Sequence, residues 1–472
     1  MILLDPKYRY LEKDLTDYLR VFDGETSREV GVELSEGEEI RVRVSASGRA
    51  SESSFAAPGF FGESLLRRKR ILKRYAMSCV YRSLKELTGK RLPYGAFTGI
   101  RPTKQYYQIL EEGLDPEDFF LNFLDFEPEK FALVRDIVRA QTGVYSRDPR
   151  DLDVYAGIPF CHGRCSYCSF VSCDIDRAGE WENPYIDALL RELEAGREIL
   201  ADSDFRVRAL YIGGGTPSAI SKENVRRVLE GVRGMAPVGT EFTFEAGRPD
   251  SIDRELFDLL AEYGVTRVSV NPQSANDATL AEIGRRHTFE EVVEKVRLAR
   301  EYPFSVNMDL IMGLGRESAA DFARSADAVI SLAPDNVTVH ALALKRGSRL
   351  KEEEREHLSP ESEEMSRLAE EKLRGAGYQP YYMYRQKYSV GNLENAGYAK
   401  PGRVCVYNVD NMEETASVLA FGANAISKRV YSGEECIERL ASPKDIPSYI
   451  AKIPKIIADK SVFRGGNCEI QP

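Results

Sequence analysis

Six short runs rich in β-branched and aromatic residues recur between residues 154 and 344, each followed by a stretch whose apolar positions fall three and four apart. That alternation of strand-like and helix-like periodicity is how parallel βα units appear in a sequence. The expected strands are Val154–Ile158, Ala209–Gly213, Glu241–Glu245, Arg267–Asn271, Asn307–Met312 and Val337–Leu344. Helices are expected between them at Tyr185–Leu200, Lys222–Arg233, Arg254–Tyr263, Phe289–Arg300 and Ala320–Leu332. Six such units curl into a partial (β/α)6 barrel, short of the eight that close one, and the active face belongs where the strands end.

The flanks read differently. Val30–Leu34 and Ile40–Val44 alternate apolar and non-apolar positions like a hairpin, and Leu65–Leu87 and Thr103–Glu112 carry helical patterns. Residues 1–150 are therefore expected to form a mixed α/β accessory domain and 151–345 the barrel. The remainder, 346–472, is expected to be a mostly helical region covering the substrate, with helices at Glu361–Gly375 and Glu413–Leu419 and a tyrosine-dense link from Tyr378 to Tyr398.

Composition narrows the class. The chain has 472 residues, 43% hydrophobic and 30% charged, ordinary values for a globular α/β protein of two or three domains. Met1-Ile2-Leu3-Leu4 runs into charged residues within a few positions, and no apolar run approaches the roughly 20 residues of a membrane span. A cytoplasmic protein with no membrane partner is expected. The net charge of −10 argues against nucleic acid bound over the whole surface. One local exception is Arg67-Arg68-Lys69-Arg70-Ile71-Leu72-Lys73-Arg74, cationic at six of eight positions, which reads as a solvated helix face or as a patch for an anionic partner. Lys351-Glu352-Glu353-Glu354-Arg355-Glu356 reads as a solvated helix or loop.

The chemistry lies in Cys161-His162-Gly163-Arg164-Cys165-Ser166-Tyr167-Cys168, directly after the first barrel strand. Three thiolates hold three corners of a four-iron cluster and leave the fourth iron open to a ligand. Zinc is the competing reading; it normally needs a fourth ligand, which one of the other five cysteines would have to supply, since His162 adjoins Cys161 too closely. After the second strand, Gly213-Gly214-Gly215-Thr216-Pro217 offers a glycine turn whose bare backbone suits the amino-acid end of a small molecule.

Together these two motifs resemble a radical S-adenosylmethionine (SAM) enzyme. From Tyr155 onward the chain is similar to the oxygen-independent coproporphyrinogen III dehydrogenase family. The resemblance rests on Tyr155-Ala156-Gly157-Ile158-Pro159-Phe160, Val270-Asn271-Pro272-Gln273-Ser274, Ile283-Gly284-Arg285-Arg286-His287 and Met308-Asp309-Leu310-Ile311-Met312-Gly313-Leu314. Phe97-Thr98-Gly99-Ile100-Arg101-Pro102-Thr103-Lys104, Tyr384-Arg385-Gln386-Lys387 and Gly391-Asn392-Leu393-Glu394-Asn395 resemble its Firmicutes-type branch, which carries an extra N-terminal domain.

The resemblance implies that Cys161, Cys165 and Cys168 ligate a [4Fe-4S] cluster. It also implies that Tyr155 and Tyr167 line the SAM site and that Gly214, Gly215 and Thr216 receive the methionine end. Glu245, Gln273, Arg285, Asp309, Ala343 and Ile426 match further SAM contacts. An arginine suits the free carboxylate, and an acid or amide at a strand end suits ribose hydroxyls. The reaction implied is oxidative decarboxylation of coproporphyrinogen III to protoporphyrinogen IX by a 5′-deoxyadenosyl radical. A low-potential donor such as flavodoxin or ferredoxin would supply the electron. No catalytic side chain is singled out. Arg101, Lys104, Arg385 and Lys387 are candidate partners for the four substrate carboxylates.

The match departs from the family at Phe170, where well-known members have a fourth cysteine; Cys173 comes three residues later. Related haem chaperones lack that cysteine too, but they carry a C-terminal His-Asn pair where this chain reads Val406-Tyr407-Asn408-Val409-Asp410, and Cys405 is the residue there able to stand in as an axial ligand. A tetrapyrrole-binding chaperone and a radical SAM enzyme acting on RNA or another substrate therefore stay open beside the decarboxylase.

Overall fold

Leu72, Ala76, Val80 and Leu84 recur every fourth residue and all are buried, so Leu65–Thr88 folds as a helix with one apolar face. The computed structural model describes residues 2–23, 30–37, 39–46, 48–56, 65–170, 172–343, 348, 361–386, 389, 393–431 and 436–464. Leu344, the acidic run 351–356, Lys387 and the Gly391-Asn392 pair lie outside them. The chain divides into two compact units, Met1–Arg135 and Asp136–Pro472.

The first unit is a mixed α/β body, ending at Arg135 where the sequence pattern set the boundary near 150. Its strands are β1 (Ile2–Leu4), β2 (Val30–Glu36), β3 (Glu39–Ala46) and β4 (Arg49–Ala56), hydrogen-bonded in that order. The hairpin is in the register its alternation demands, with Val32 opposite Val44 and Leu34 opposite Val42. The cationic run is neither a bare solvated face nor a free patch. Arg68 Nε donates to Glu36 Oε2 at 2.8 Å, Lys73 Nζ lies 2.6 Å from Asp14 Oδ2, and Arg74 and Arg70 share Glu112 at 2.7 and 3.4 Å.

The second unit is built on one eleven-stranded sheet. Its strands are β5 (Asp151–Ile158), β8 (Arg206–Gly214), β9 (Glu241–Gly247), β10 (Arg267–Val270), β11 (Ser305–Met312), β12 (Asn336–Ala341), β13 (Gln379–Arg385), β14 (Glu394–Ala399), β15 (Ser417–Phe421), β16 (Ile426–Val430) and β17 (Ile437–Ala441). A separate two-stranded pair, β6 (Phe160–Cys161) and β7 (Cys173–Asp174), follows β5. The order is β13-β14-β12-β11-β10-β9-β8-β5-β15-β16-β17, and the six expected strands run parallel from β5 through β8 to β12. This is the partial α/β barrel expected, with each of the six strands overlapping the run that the pattern marked and the sixth ending at Ala341, short of the expected Leu344.

Four of the helices between those strands begin where the sequence offers caps. Ser221 accepts from Asn224 N–H, Asp253 from Leu256 N–H, and Thr288 with Glu291 and Ser318 with Asp321 form capping boxes. Residues after 345 do not stand apart as expected. Helices such as Ser362–Gly375 are present, but β13 and β14 extend one edge of the sheet and β15 to β17 the other. The tyrosine-dense link is thus the β13–β14 hairpin. The helix expected at Glu413–Leu419 is corrected as well: a helix spans Val406–Glu413, Glu414 takes a left-handed turn, and β15 begins at Ser417. Every residue of β15 is buried between β5 and β16, and so continuous an apolar run looks the same for a buried strand and a helix turn.

Candidate active site

The parallel strands end around a cavity of about 310 Å³. The loop that enters it after β5 is held by backbone bonds: Gly215 N–H donates to Ile158 O at 2.8 Å, Thr216 N–H to Phe160 O at 2.7 Å, and Ser166 N–H to Ile283 O at 3.0 Å. Cys161, Cys165 and Cys168 all line the cavity, and Thr216 Oγ1 donates to Cys161 Sγ at 3.4 Å. Burial pushes the Cys161 and Cys168 thiols up, so they ionise readily only with a cation among them.

Gly214 and Gly215 are there because nothing larger fits. Gly214 has φ +115°, and a Cβ on Gly215 would meet Phe160 O at 2.6 Å and Cys161 Sγ at 3.0 Å. The turn therefore brings bare backbone to the cavity wall beside the cysteines.

Polar side chains arrive from the next strand ends. Glu245, on β9, accepts from the Tyr211 hydroxyl, and burial pushes its carboxyl up to about 7. Asp309, on β11, accepts from Asn271 Nδ2 at 2.8 Å and Asn307 Nδ2 at 3.0 Å. Arg285 donates to Asn271 O at 2.7 Å and to the Tyr167 hydroxyl at 3.3 Å. Tyr167 in turn packs on Leu280, Ile283, Ile311, Leu314 and Leu342. Gln273 sits at φ 68°, held by its N–H to Asp309 O at 2.9 Å and its carbonyl to Ile311 N–H at 3.0 Å.

All but two of the expected site residues thus share one cavity, Ala343 included. The exceptions are Tyr155 and Ile426. The Tyr155 ring stacks on Tyr211 and Tyr407 at centroid distances of 6.1 and 6.3 Å, one side chain removed from Glu245, because it sits three residues inside the strand end. Ile426 opens β16, paired with Ala441 of the edge strand β17, and is 47% exposed and outside the cavity lining. Phe170 lines the cavity with its ring 63% exposed, whereas Cys173 pairs with Phe160 between β6 and β7. Cys405 is buried and its thiol donates to Glu241 Oε1 at 3.3 Å, so it is no accessible axial ligand. Arg101 and Lys104 belong to the first unit, and Arg385 ends β13 outside the cavity lining.

Sequence reasoning assigned no role to Arg248, Asn271, His340, Gln386 and Asn395, which also line the cavity. Arg248 is 3% exposed, forks onto Asp250 at 3.0 and 2.7 Å, and keeps Nη1 without a partner. The rule that function sits at strand ends marks both Arg248 and His340, had it been applied to every strand.

The residues fit a cluster and SAM. Gln273 Oε1, Asn271 Oδ1, Arg285 Nε and Arg248 Nη1 are all buried without a hydrogen-bond partner, and a polar ligand would satisfy them. Among the described residues no three His, Cys, Asp or Glu side chains gather closely enough to hold a metal ion. Tetrahedral zinc requires thiolates about 3.8 Å apart. A cluster does not set that spacing, because each of its thiolates binds a different iron.

Residues 155–329 match the Radical SAM superfamily. The oxygen-independent coproporphyrinogen-III oxidase-like protein HemZ of Bacillus subtilis is 36% identical over 387 residues, 79% of this chain and 77% of the relative. The heme chaperone HemW of Haemophilus influenzae is 29% identical over 63% of this chain and 76% of its own. Among solved structures, the coproporphyrinogen III oxidase HemN of Escherichia coli shares the fold with a TM-score of 0.53 at 23% identity, covering 70% of this chain and 73% of that one.

Proposed function

The chain belongs to the oxygen-independent coproporphyrinogen-III oxidase-like family of radical SAM proteins, and from that premise we propose that it decarboxylates two propionates of coproporphyrinogen III to vinyl groups without oxygen. One observation carries the reading: the three cysteines, the glycine turn and a buried arginine meet in one cavity at the ends of parallel strands. When bound, the [4Fe-4S] cluster and SAM supply an electron and a 5′-deoxyadenosyl radical able to take a hydrogen atom from an unactivated carbon.

The side chains divide the remaining work. Cys161, Cys165 and Cys168 would hold the cluster, and the bare backbone at Gly214 and Gly215 the amino-acid end of SAM. Arg285 would pair the carboxylate. Glu245 and Asp309 would take ribose hydroxyls, and Glu245, with a carboxyl near 7, can donate as well as accept. Phe170, Ile311 and Leu342 give the lining an apolar part that keeps water from the reacting carbon. A small low-potential protein, a flavodoxin or ferredoxin, would deliver the electron that cleaves SAM, and a separate one-electron acceptor would take the electron that leaves the substrate with each carbon dioxide.

The test is anaerobic reconstitution followed by mass analysis of incubations with SAM and coproporphyrinogen III. Loss of two carbon dioxide units coupled to SAM cleavage is expected. SAM cleavage with an intact cluster and no vinyl product would refute the substrate. The HemW relatives and Phe170 favour one alternative, a tetrapyrrole-binding chaperone. Tight one-to-one haem binding without turnover would select it. The paired cations of the first unit leave the RNA reading without its motive.

A further inference from the structure

Nothing above uses His340, Tyr384, Gln386 and Asn395, which line the same cavity from β12, the β13 end and β14. The wall is built to hold its shape. Asn395 Oδ1 accepts from Ala341 N–H at 3.0 Å while its Nδ2 donates to Tyr384 O at 3.3 Å, tying the end of β12 to β13. His340, the next-to-last residue of β12, has its side chain 28% exposed. Its Nε2 lies 3.8 Å from Asp309 Oδ2 and its Nδ1 3.4 Å from the Tyr384 hydroxyl. The second is a long hydrogen bond and the first is beyond hydrogen-bond range, so Nε2 is the ring nitrogen left to meet a ligand. A nearby carboxylate still orients the imidazole, as acidic partners of histidine do.

We propose that His340, oriented by Asp309 and flanked by Tyr384 and Gln386, binds a carboxylate of the substrate. The proposal rests on the tetrapyrrole reading, because the propionates supply the anion. Imidazole, phenol and primary amide can each donate, and a carboxylate is the acceptor-only group that such a set complements. It stands beside the arginines and lysines expected from the sequence as a donor set that lines the cavity itself. Gripping one propionate on this wall orients the ring that carries it, which is what selecting one hydrogen atom for removal requires.

The experiment is a fluorescence titration of the protein with coproporphyrin III, the stable oxidised form of the substrate, and with its tetramethyl ester in the same mild detergent. Wild type should prefer the acid. His340→Phe should weaken acid binding about tenfold or more, the loss of a charge-assisted hydrogen bond, while ester binding holds. His340→Gln, which keeps a donor, should recover part of the loss. Tyr384→Phe, which removes one hydroxyl and no volume elsewhere, should show a smaller loss confined to the acid. An unchanged acid-to-ester preference in both His340→Phe and Tyr384→Phe would overturn the proposal while leaving the substrate reading intact. Failure of wild type to bind the acid at all would sink both.

Discussion

Two buried polar regions of the barrel unit are treated in opposite ways. Around Glu192 every group has its partner: Lys460 Nζ reaches Oε1 at 2.5 Å, Gly422 N–H donates to Oε2 at 2.9 Å, and the Tyr449 hydroxyl donates to the same oxygen. Around the strand ends, Gln273 Oε1, Asn271 Oδ1, Arg285 Nε and Arg248 Nη1 are equally hidden and have none. A satisfied network fixes one packing; buried groups left open cost stability and are tolerated where a ligand completes them. The difference separates what holds this molecule from what it is for.

The sharpest way to break the comparison is to remove one member from each side. Cys161→Ala should abolish the iron–sulfur absorbance and SAM cleavage while the apo-protein unfolds at an unchanged urea midpoint. A large fall in that midpoint would move Cys161 to the structural side. Glu192→Ala should do the reverse, destabilising by about 3–5 kcal/mol because Lys460 is left charged and unpaired in the interior. Urea unfolding measures it, and a loss under about 1 kcal/mol would mean the pair is solvated after all.

Legibility in the sequence follows the same division. The six strands and the capped helices were readable because their periods and caps are local, and the cysteine spacing named its chemistry for the same reason. The β15 strand was not, since Val418-Leu419-Ala420-Phe421 has no period to betray it and its partner β5 lies far back in the chain. Tyr155 stacks on Tyr211 and Tyr407 outside the cavity lining, because a motif match says nothing about the face on which a ring lands. His340 escaped because a lone histidine carries meaning only beside Asp309 and Tyr384, which arrive from other strands.

Glu245 gives the comparison a pH dependence. Its folded carboxyl sits near 7, raised by burial from an ordinary 4.5. Between those values the unfolded chain has released the proton and the folded chain has kept it, so stability falls as pH rises through this window and levels off above it. The span corresponds to up to about 3 kcal/mol. Glu245→Gln should flatten that slope in urea unfolding of the apo-protein, and an unaltered slope would assign it to other groups.

The smallest effect is the most discriminating. Gln273 combines a left-handed backbone at φ 68° with a buried oxygen that has no partner, and neither favours the apo-protein. Gln273→Gly relieves both, at the price of the greater freedom of glycine in the unfolded chain. A net gain of about 1 kcal/mol in apo stability is expected, together with about tenfold weaker SAM binding to the reconstituted protein as the amide is lost. Gln273→Ala separates the two terms, because it removes the oxygen and keeps the strain. If the glycine variant is more stable than the alanine one while both bind SAM equally poorly, the backbone strain is stored to aim the amide. Should the glycine variant be less stable than wild type, Gln273 would belong with Glu192 among the groups that hold the fold, and the division drawn between the two regions would fail at its centre.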